Sequence, residues 1–149
     1  MGDRTSVTLT VLLCHEEAAK SLFTFGPEHR STHSHFAYHD FYDVNYGDLL
    51  FLDALENAGI PFDSDWDSGD EYGPGCESCR FTPDGSVIRK SISNDYINPP
   101  IATLMEKIND YTALKEFITK HHGEIFVPVW DNQEQYAKIY RTKQLIAPT

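Results

Sequence analysis

Three groups of residues have types and spacings suited to chemistry. The first is Asp63, Asp65 and Asp67, at alternate positions. On a strand, alternate side chains stand on one face about 6.6–6.8 Å apart. Three carboxylates in such a row repel one another, so they must face water, a cation or a cationic partner. The second group is His33-x-His35-x3-His39. Imidazoles two residues apart on a strand share a face and suit a divalent transition metal. The third is Cys76-x-x-Cys79, one knuckle of a zinc site without a second cysteine pair. Combined with the histidines it gives a metal set of His33, His35, His39, Cys76 and Cys79, for which zinc is the expected cofactor. Against that set, residues three apart on a strand point to opposite faces, and Cys79 falls in a predicted strand.

Two short resemblances accompany these groups. Asp63-x-Asp65-x-Asp67-x-Gly69 resembles the start of an EF-hand calcium loop, but Gly69 falls one place late. Pro74 also stands where the bidentate Glu is needed. The stretch from His33 to Gly47 resembles the first cupin motif, in which two such histidines are paired with a downstream acid and a glycine. Pro83-x-Gly85 resembles part of the second cupin motif. Here the acid is Asp40 rather than Glu, Ile88 occupies the place of a ligand histidine, and predicted helices follow where a cupin is nearly all strand. Neither resemblance is adopted. Cys14-His15 would open a Cys-x5-Arg phosphatase loop only if residue 20 were Arg, and it is Lys20. The chain has no G-x-S-x-G, no P-loop and no dinucleotide fingerprint.

Charge narrows the function classes further. The 149-residue chain has a formal net charge of −11. Through Gly75 there are 14 Asp and Glu against 3 Lys and Arg, whereas from Cys76 onward there are 9 of each. Ser31–Cys79 contains no Lys or Arg at all. Such a field repels nucleic acid and anionic membrane, and attracts basic protein surfaces. The leading expectation is therefore a non-enzymatic acidic binding or inhibitor protein that docks on a basic protein surface, such as a nuclease or nucleoprotein complex. By analogy, it would imitate nucleic acid as phage and plasmid anti-defence proteins do. Its partner-binding residues would be Asp40, Asp43, Asp63, Asp65, Trp66, Asp67, Asp70, Glu71 and Tyr72. Tyr38, Tyr42 and Tyr46 would be further anchors, because aromatic residues dominate interface hot spots. The alternative is a metal-dependent enzyme or zinc-stapled domain built on His33, His35, His39, Cys76 and Cys79. A third reading is a domain whose acidity only aids solubility.

Three cysteines do not form a secreted disulfide framework, and Thr8–Leu13 is too short and polar for a signal-peptide core, so a cytoplasmic location is expected. Met1-Gly2 opens a loose myristoylation pattern.

The elements that must position these groups follow from periodicity. Ser6–Leu13 alternates as a strand. Glu16–Phe23 reads as a short helix, Glu28–Ser34 as a polar loop and His35–Tyr46 as a long aromatic strand. Asp48–Ala58 repeats Leu49, Leu52 and Leu55 at helical spacing and ends at Gly59. Phe62–Ser68 alternates again. Glu77–Thr82 and Ser86–Ser93 form a hairpin around Pro83-Asp84-Gly85. Two helices follow, the first capped at Asn98 and the second ending at Gly123. Glu124–Trp130 reads as a short edge strand, and Asp131 caps a last helix with Tyr136, Ala137 and Tyr140 inward. The order predicts an α+β fold, a single domain over residues 1–149 with a mainly antiparallel or mixed sheet and helices packed on it.

Overall fold

Alternation along Arg4–Leu12 buries Val7, Leu9 and Val11, and this strand, β1, forms the centre of the sheet. The computed structural model describes residues 3–146; Met1, Gly2 and residues 147–149 lie outside it, and the N-terminal acylation pattern with them. The other strands are β2 (His29–His33), β3 (Phe36–Asn45), β4 (Phe62–Trp66), β5 (Gly75–Phe81) and β6 (Val87–Ser93). They lie in the order β2-β3-β1-β4-β5-β6, and every neighbouring pair is antiparallel. The described chain is thus α+β with a wholly antiparallel sheet.

One face of the sheet is apolar and covered. Val7, Leu9, Val11, Ala37, Phe41, Phe62, Cys79 and Phe81 are buried there. They pack against α1 (Glu16–Lys20), α2 (Leu52–Asn57) and α6 (Gln133–Ile146), through Ala19, Leu52, Leu55, Ala137 and Tyr140. The Tyr140 ring lies 4.6 Å from that of Phe81. Gln133 is buried and closes the edge of this layer, its amide exchanging two hydrogen bonds with the Phe81 backbone. Gly59 ends α2 at φ +71°, where a Cβ would strike Arg141 and Tyr140 of α6.

Several expected elements differ. Glu28–Ser34 is not a loop: His29–His33 pairs with β3, in register from His29 opposite Asp40 to His33 opposite Phe36. Every residue of β2 is exposed, so no apolar alternation marks it in the sequence. In β3 the alternation breaks at a bulge, where Asp43 takes φ +58°. The bulge returns Val44 to the buried face that Ala37, His39 and Phe41 occupy. The helix expected over Asp48–Ala58 begins only at Leu52, because Asp48 Oδ1 accepts the Leu50 N–H at 2.9 Å and Leu50 turns to φ +65°.

The second half of the chain adds α3 (Asn94–Ile97), α4 (Ile101–Lys107) and α5 (Tyr111–Ile125), none of which contains a buried residue. The carbonyl that opens α4 belongs to Pro100, not Asn98. Asp110 caps α5 by accepting the Ala113 N–H at 3.0 Å. The helix runs through Gly123 to Ile125. The strand expected over Glu124–Trp130 does not form. Carbonyls here are taken by side chains instead: Pro128 O accepts Arg80 Nε at 3.0 Å, and Gly123 O accepts Lys90 Nζ.

Candidate protein-docking surface

Strand registry sets out the second face of the sheet. One row crosses it as His29, Asp40, Thr8, Asp65, Cys76 and Ile92; the next as Ser31, Tyr38, Thr10, Asp63, Ser78 and Lys90. Of the expected carboxylate ladder, Asp63 and Asp65 stand in these rows with different surroundings, whereas Asp67 lies beyond the end of β4.

Asp63 is saturated. It accepts Arg80 Nη2 on both oxygens at 2.9 and 3.0 Å, the Ser78 hydroxyl at 2.6 Å and Trp130 Nε1 at 3.2 Å. Arg80, only 4% exposed, also donates to the Phe62 and Cys79 carbonyls, with its guanidinium 3.8 Å from the Trp130 ring centroid. Asp63 is the counter-ion of a buried arginine. Asp65 is exposed by area, yet its neighbours across the strands shield the carboxylate, and this lost hydration raises its pKa. Asp40 is half-buried, accepting the Thr8 hydroxyl at 2.7 Å with His29 Nδ1 at 3.3 Å. Other acids of the Lys- and Arg-free stretch are paired as well. Arg89 reaches Asp53 at 2.6 Å, Glu77 at 2.9 Å and Glu56 at 3.7 Å.

The exposed Asp43, Asp48, Asp67, Asp70 and Glu71 gather with the half-buried Asp3 at one end of the sheet. There the start of β1, the turn after β3 and the loop after β4 come together. Tyr46 N–H bonds the Asp3 carbonyl at 2.6 Å, and Asp67 N–H bonds the Ser6 carbonyl at 3.0 Å. The Asp3 carboxylate lies in the loop after β4, accepting the Glu71 N–H at 2.9 Å. Backbone hydrogen bonds from Asp70 and Glu71 hold its pKa below the usual range. Residues 3–5, 43–50 and 67–73 bring Asp3, Asp43, Asp48, Asp67, Asp70 and Glu71 to this end, against a single cation, Arg4. Arg4 is committed to Asp43 at 3.0 Å. Beside the acids stand the exposed side chains of Tyr42, Tyr46 and Leu50, the last 75% exposed. Tyr46 and Leu50 both hold positive φ, as Asp43 does. Three left-handed non-glycine residues in eight positions are costly; Asp43 makes the bulge that buries Val44, whereas Tyr46 and Leu50 leave their side chains in solvent.

Of the expected partner-binding residues, Asp43, Asp67, Asp70 and Glu71 meet at this end. Asp40 and Asp65 lie on the adjoining sheet face. Trp66 and Tyr72 turn inward. The Trp66 indole packs against the core and donates to the Gly73 carbonyl at 3.1 Å, and the Tyr72 hydroxyl is buried. Asp3 and Leu50 belong to the surface without any local sequence signal, because only the fold brings them to it.

The expected metal set does not converge. His33 and His35 are exposed, on the β2 edge and in the turn that follows. His39 and Cys79 are buried on the helix-covered face, whereas Cys76 lies on the opposite one. Burial pushes both thiols up to about 12. Among the described residues no three His, Cys, Asp or Glu side chains are placed to hold a metal ion.

What His39 does join is a partly buried polar cluster. Arg30 forks onto both oxygens of Glu16, with Nη2–Oε2 at 2.7 Å, and His39 Nε2 lies 3.2 Å from Glu16 Oε1, too poorly aligned for a hydrogen bond. The Arg30 hydrogen bond holds the Glu16 carboxyl below its ordinary range, and burial holds His39 below the usual imidazole value. Elsewhere, Cys14, His35, Phe36, Trp130, Glu134 and Lys138 help line an open groove of about 880 Å³. Burial and the nearby Glu134 charge raise the Cys14 thiol, the opposite of the shift that activates a nucleophilic cysteine.

Comparison with protein-family models, with curated proteins and with solved structures returns no match. Among the described residues no helix is long and apolar enough to cross a membrane.

Proposed function

We propose that the protein is a non-enzymatic binding protein whose acidic end docks on a basic protein surface, one that ordinarily takes nucleic acid. The observation that carries this reading is the end of the sheet where six carboxylates meet one committed arginine beside Tyr42, Tyr46 and Leu50. The carboxylates supply long-range steering, and the exposed aromatic and aliphatic groups supply the short-range contact. Asp40 and Asp65 extend the field over the open sheet face. They flank Thr8 two strand spacings apart, about 9.5 Å. Such an array competes for a surface built to bind phosphates. Nucleases and nucleoprotein complexes are the partner class, and a cytoplasmic location accompanies it.

The test is binding to a panel of purified nucleases and nucleoproteins, with duplex DNA as competitor. The expected result is a complex that DNA displaces and that weakens as salt rises. The Asp67→Asn/Asp70→Asn/Glu71→Gln variant should associate about tenfold more slowly at low salt. Absence of binding across the panel, or binding indifferent to both salt and this variant, would overturn the reading.

A further inference from the structure

The segment from α3 to Trp130 exposes more apolar surface than the rest of the described chain. Nine of its seventeen exposed large hydrophobic side chains fall between Tyr96 and Val129. A fifteen-residue helix is marginal by itself in water and normally depends on a packed face. Yet α5 buries nothing completely, and Tyr111 at its start is 76% exposed. Apolar exposure on this scale marks an interaction surface.

The outer face of α5 indicates what covers it. A shallow groove of about 570 Å³ there is lined by Tyr111, Thr112, Lys115, Glu116, Thr119 and Lys120. Read backwards, this set complements itself. An antiparallel copy related by a two-fold axis between residues 115 and 116 sets Lys115 opposite the partner's Glu116, Tyr111 opposite the partner's Lys120, and Thr112 opposite the partner's Thr119. Each pairing occurs twice, as a two-fold interface requires. Among the described residues, Lys115, Glu116 and Lys120 make no ion pair within the chain. Lys115 and Glu116, adjacent in a helix, cannot face each other. Ile101–Ile125 carries three Lys against four acids, so two copies of a chain of net charge −11 meet here without the strong repulsion of the acidic first half.

We propose that α5 is a homodimer interface, the outer faces of two copies pairing antiparallel about the Lys115–Glu116 midpoint. Ile108 and Ile118, both half-exposed or more, flank the contact. This inference does not depend on the acidic end and stands or falls separately from it.

Sedimentation equilibrium on the full chain tests it, with far-ultraviolet circular dichroism as the check on folding. The native protein should reach twice its 17.0 kDa mass as concentration rises. Lys115→Glu and Glu116→Lys should each raise the dimer dissociation constant at least tenfold, since each sets like charges opposite one another twice. The double variant Lys115→Glu/Glu116→Lys restores the opposite pairing and should dimerise again. Tyr111→Ala, at an exposed site that folding does not use, should also weaken the dimer. A single 17.0 kDa species at every concentration would overturn the proposal, as would single variants that associate like the native chain or a double variant that fails to recover with its helicity intact.

Discussion

Asp63 and Arg80 form a two-armed ion pair, Nη2 to both carboxylate oxygens at 2.9 and 3.0 Å, with the Trp130 ring lying against the guanidinium. The pair joins β4 and β5 to the segment that leads into α6. It also withdraws the first carboxylate of the Asp63/Asp65/Asp67 row from any partner.

Asp63→Asn should therefore be destabilising, although the row read as a strand of repelling charges predicts a neutral or favourable change. Removing the counter-ion leaves Arg80 buried and uncompensated, which costs about 3 kcal/mol. Urea unfolding measures it. A change below about 0.5 kcal/mol would mean that Arg80 is not held as described.

Asp67→Asn, Asp70→Asn and Glu71→Gln, in contrast, should each leave stability within about 0.5 kcal/mol, because all three side chains are exposed. The same denaturation experiment separates the two groups. Equal losses at Asp63 and Asp70 would contradict the division into structural and free carboxylates.

Acidification should destabilise the fold in two stages. His39 and His15 both have their pKa lowered by burial, from an ordinary value of 6.5. A base buried neutral contributes stability above its unfolded pKa, and this is lost as pH falls from about 6.5 toward the folded value. Glu16, lowered from 4.5 by Arg30, contributes above its unfolded pKa and is lost below it. A tenfold change in proton affinity between the folded and unfolded chain is worth about 1.4 kcal/mol. Unfolding free energy measured from pH 8 to 3 should decline first below about 6.5 and again below about 4.5, and His39→Leu should flatten the first stage. A profile unchanged by that substitution would exclude His39 as its source.

Thiol labelling should divide the cysteines sharply. Cys14 is exposed, whereas Cys76 and Cys79 are pushed up to about 12. Thiolate is roughly a thousandfold scarcer at that value than at an ordinary 9.0, so the two strand cysteines should react much more slowly than an unperturbed thiol. Alkylation at pH 8 followed by mass spectrometry should find one modified residue in the native protein and three after denaturation. Rapid labelling of Cys76 in the folded state would contradict its shielding.

Leu50→Asn should stabilise the protein by about 0.5–1 kcal/mol. The position holds φ +65° with its side chain in solvent, and asparagine occupies that conformation at lower cost. A loss of stability would show that Leu50 packs within the chain after all. Should the acidic end be the docking site, the same variant binds more weakly, so stability and binding would change in opposite directions.

The sequence by itself determined what depends on a few neighbouring residues. Alternation marked β1 and β4, Gly59 marked the end of α2, and Pro83-Asp84-Gly85 marked a turn in which Gly85 holds φ +80°. These features made the α+β class legible, because periodicity and φ preference act locally. Local signals also misled where neighbours far away in sequence supply the bonds. His29–His33 is a strand because β3 lies alongside it, and Phe126–Trp130 is not one because Arg80 claims the Pro128 carbonyl. The charge inventory was fixed by composition, but which carboxylates remain free was decided only in three dimensions. Arg80 and Arg89 return from the second half to neutralise Asp63 and Asp53, and Asp3 crosses from the chain's start to join Asp70 and Glu71. An ion pair depends on which elements meet, and no spacing along the chain encodes that meeting.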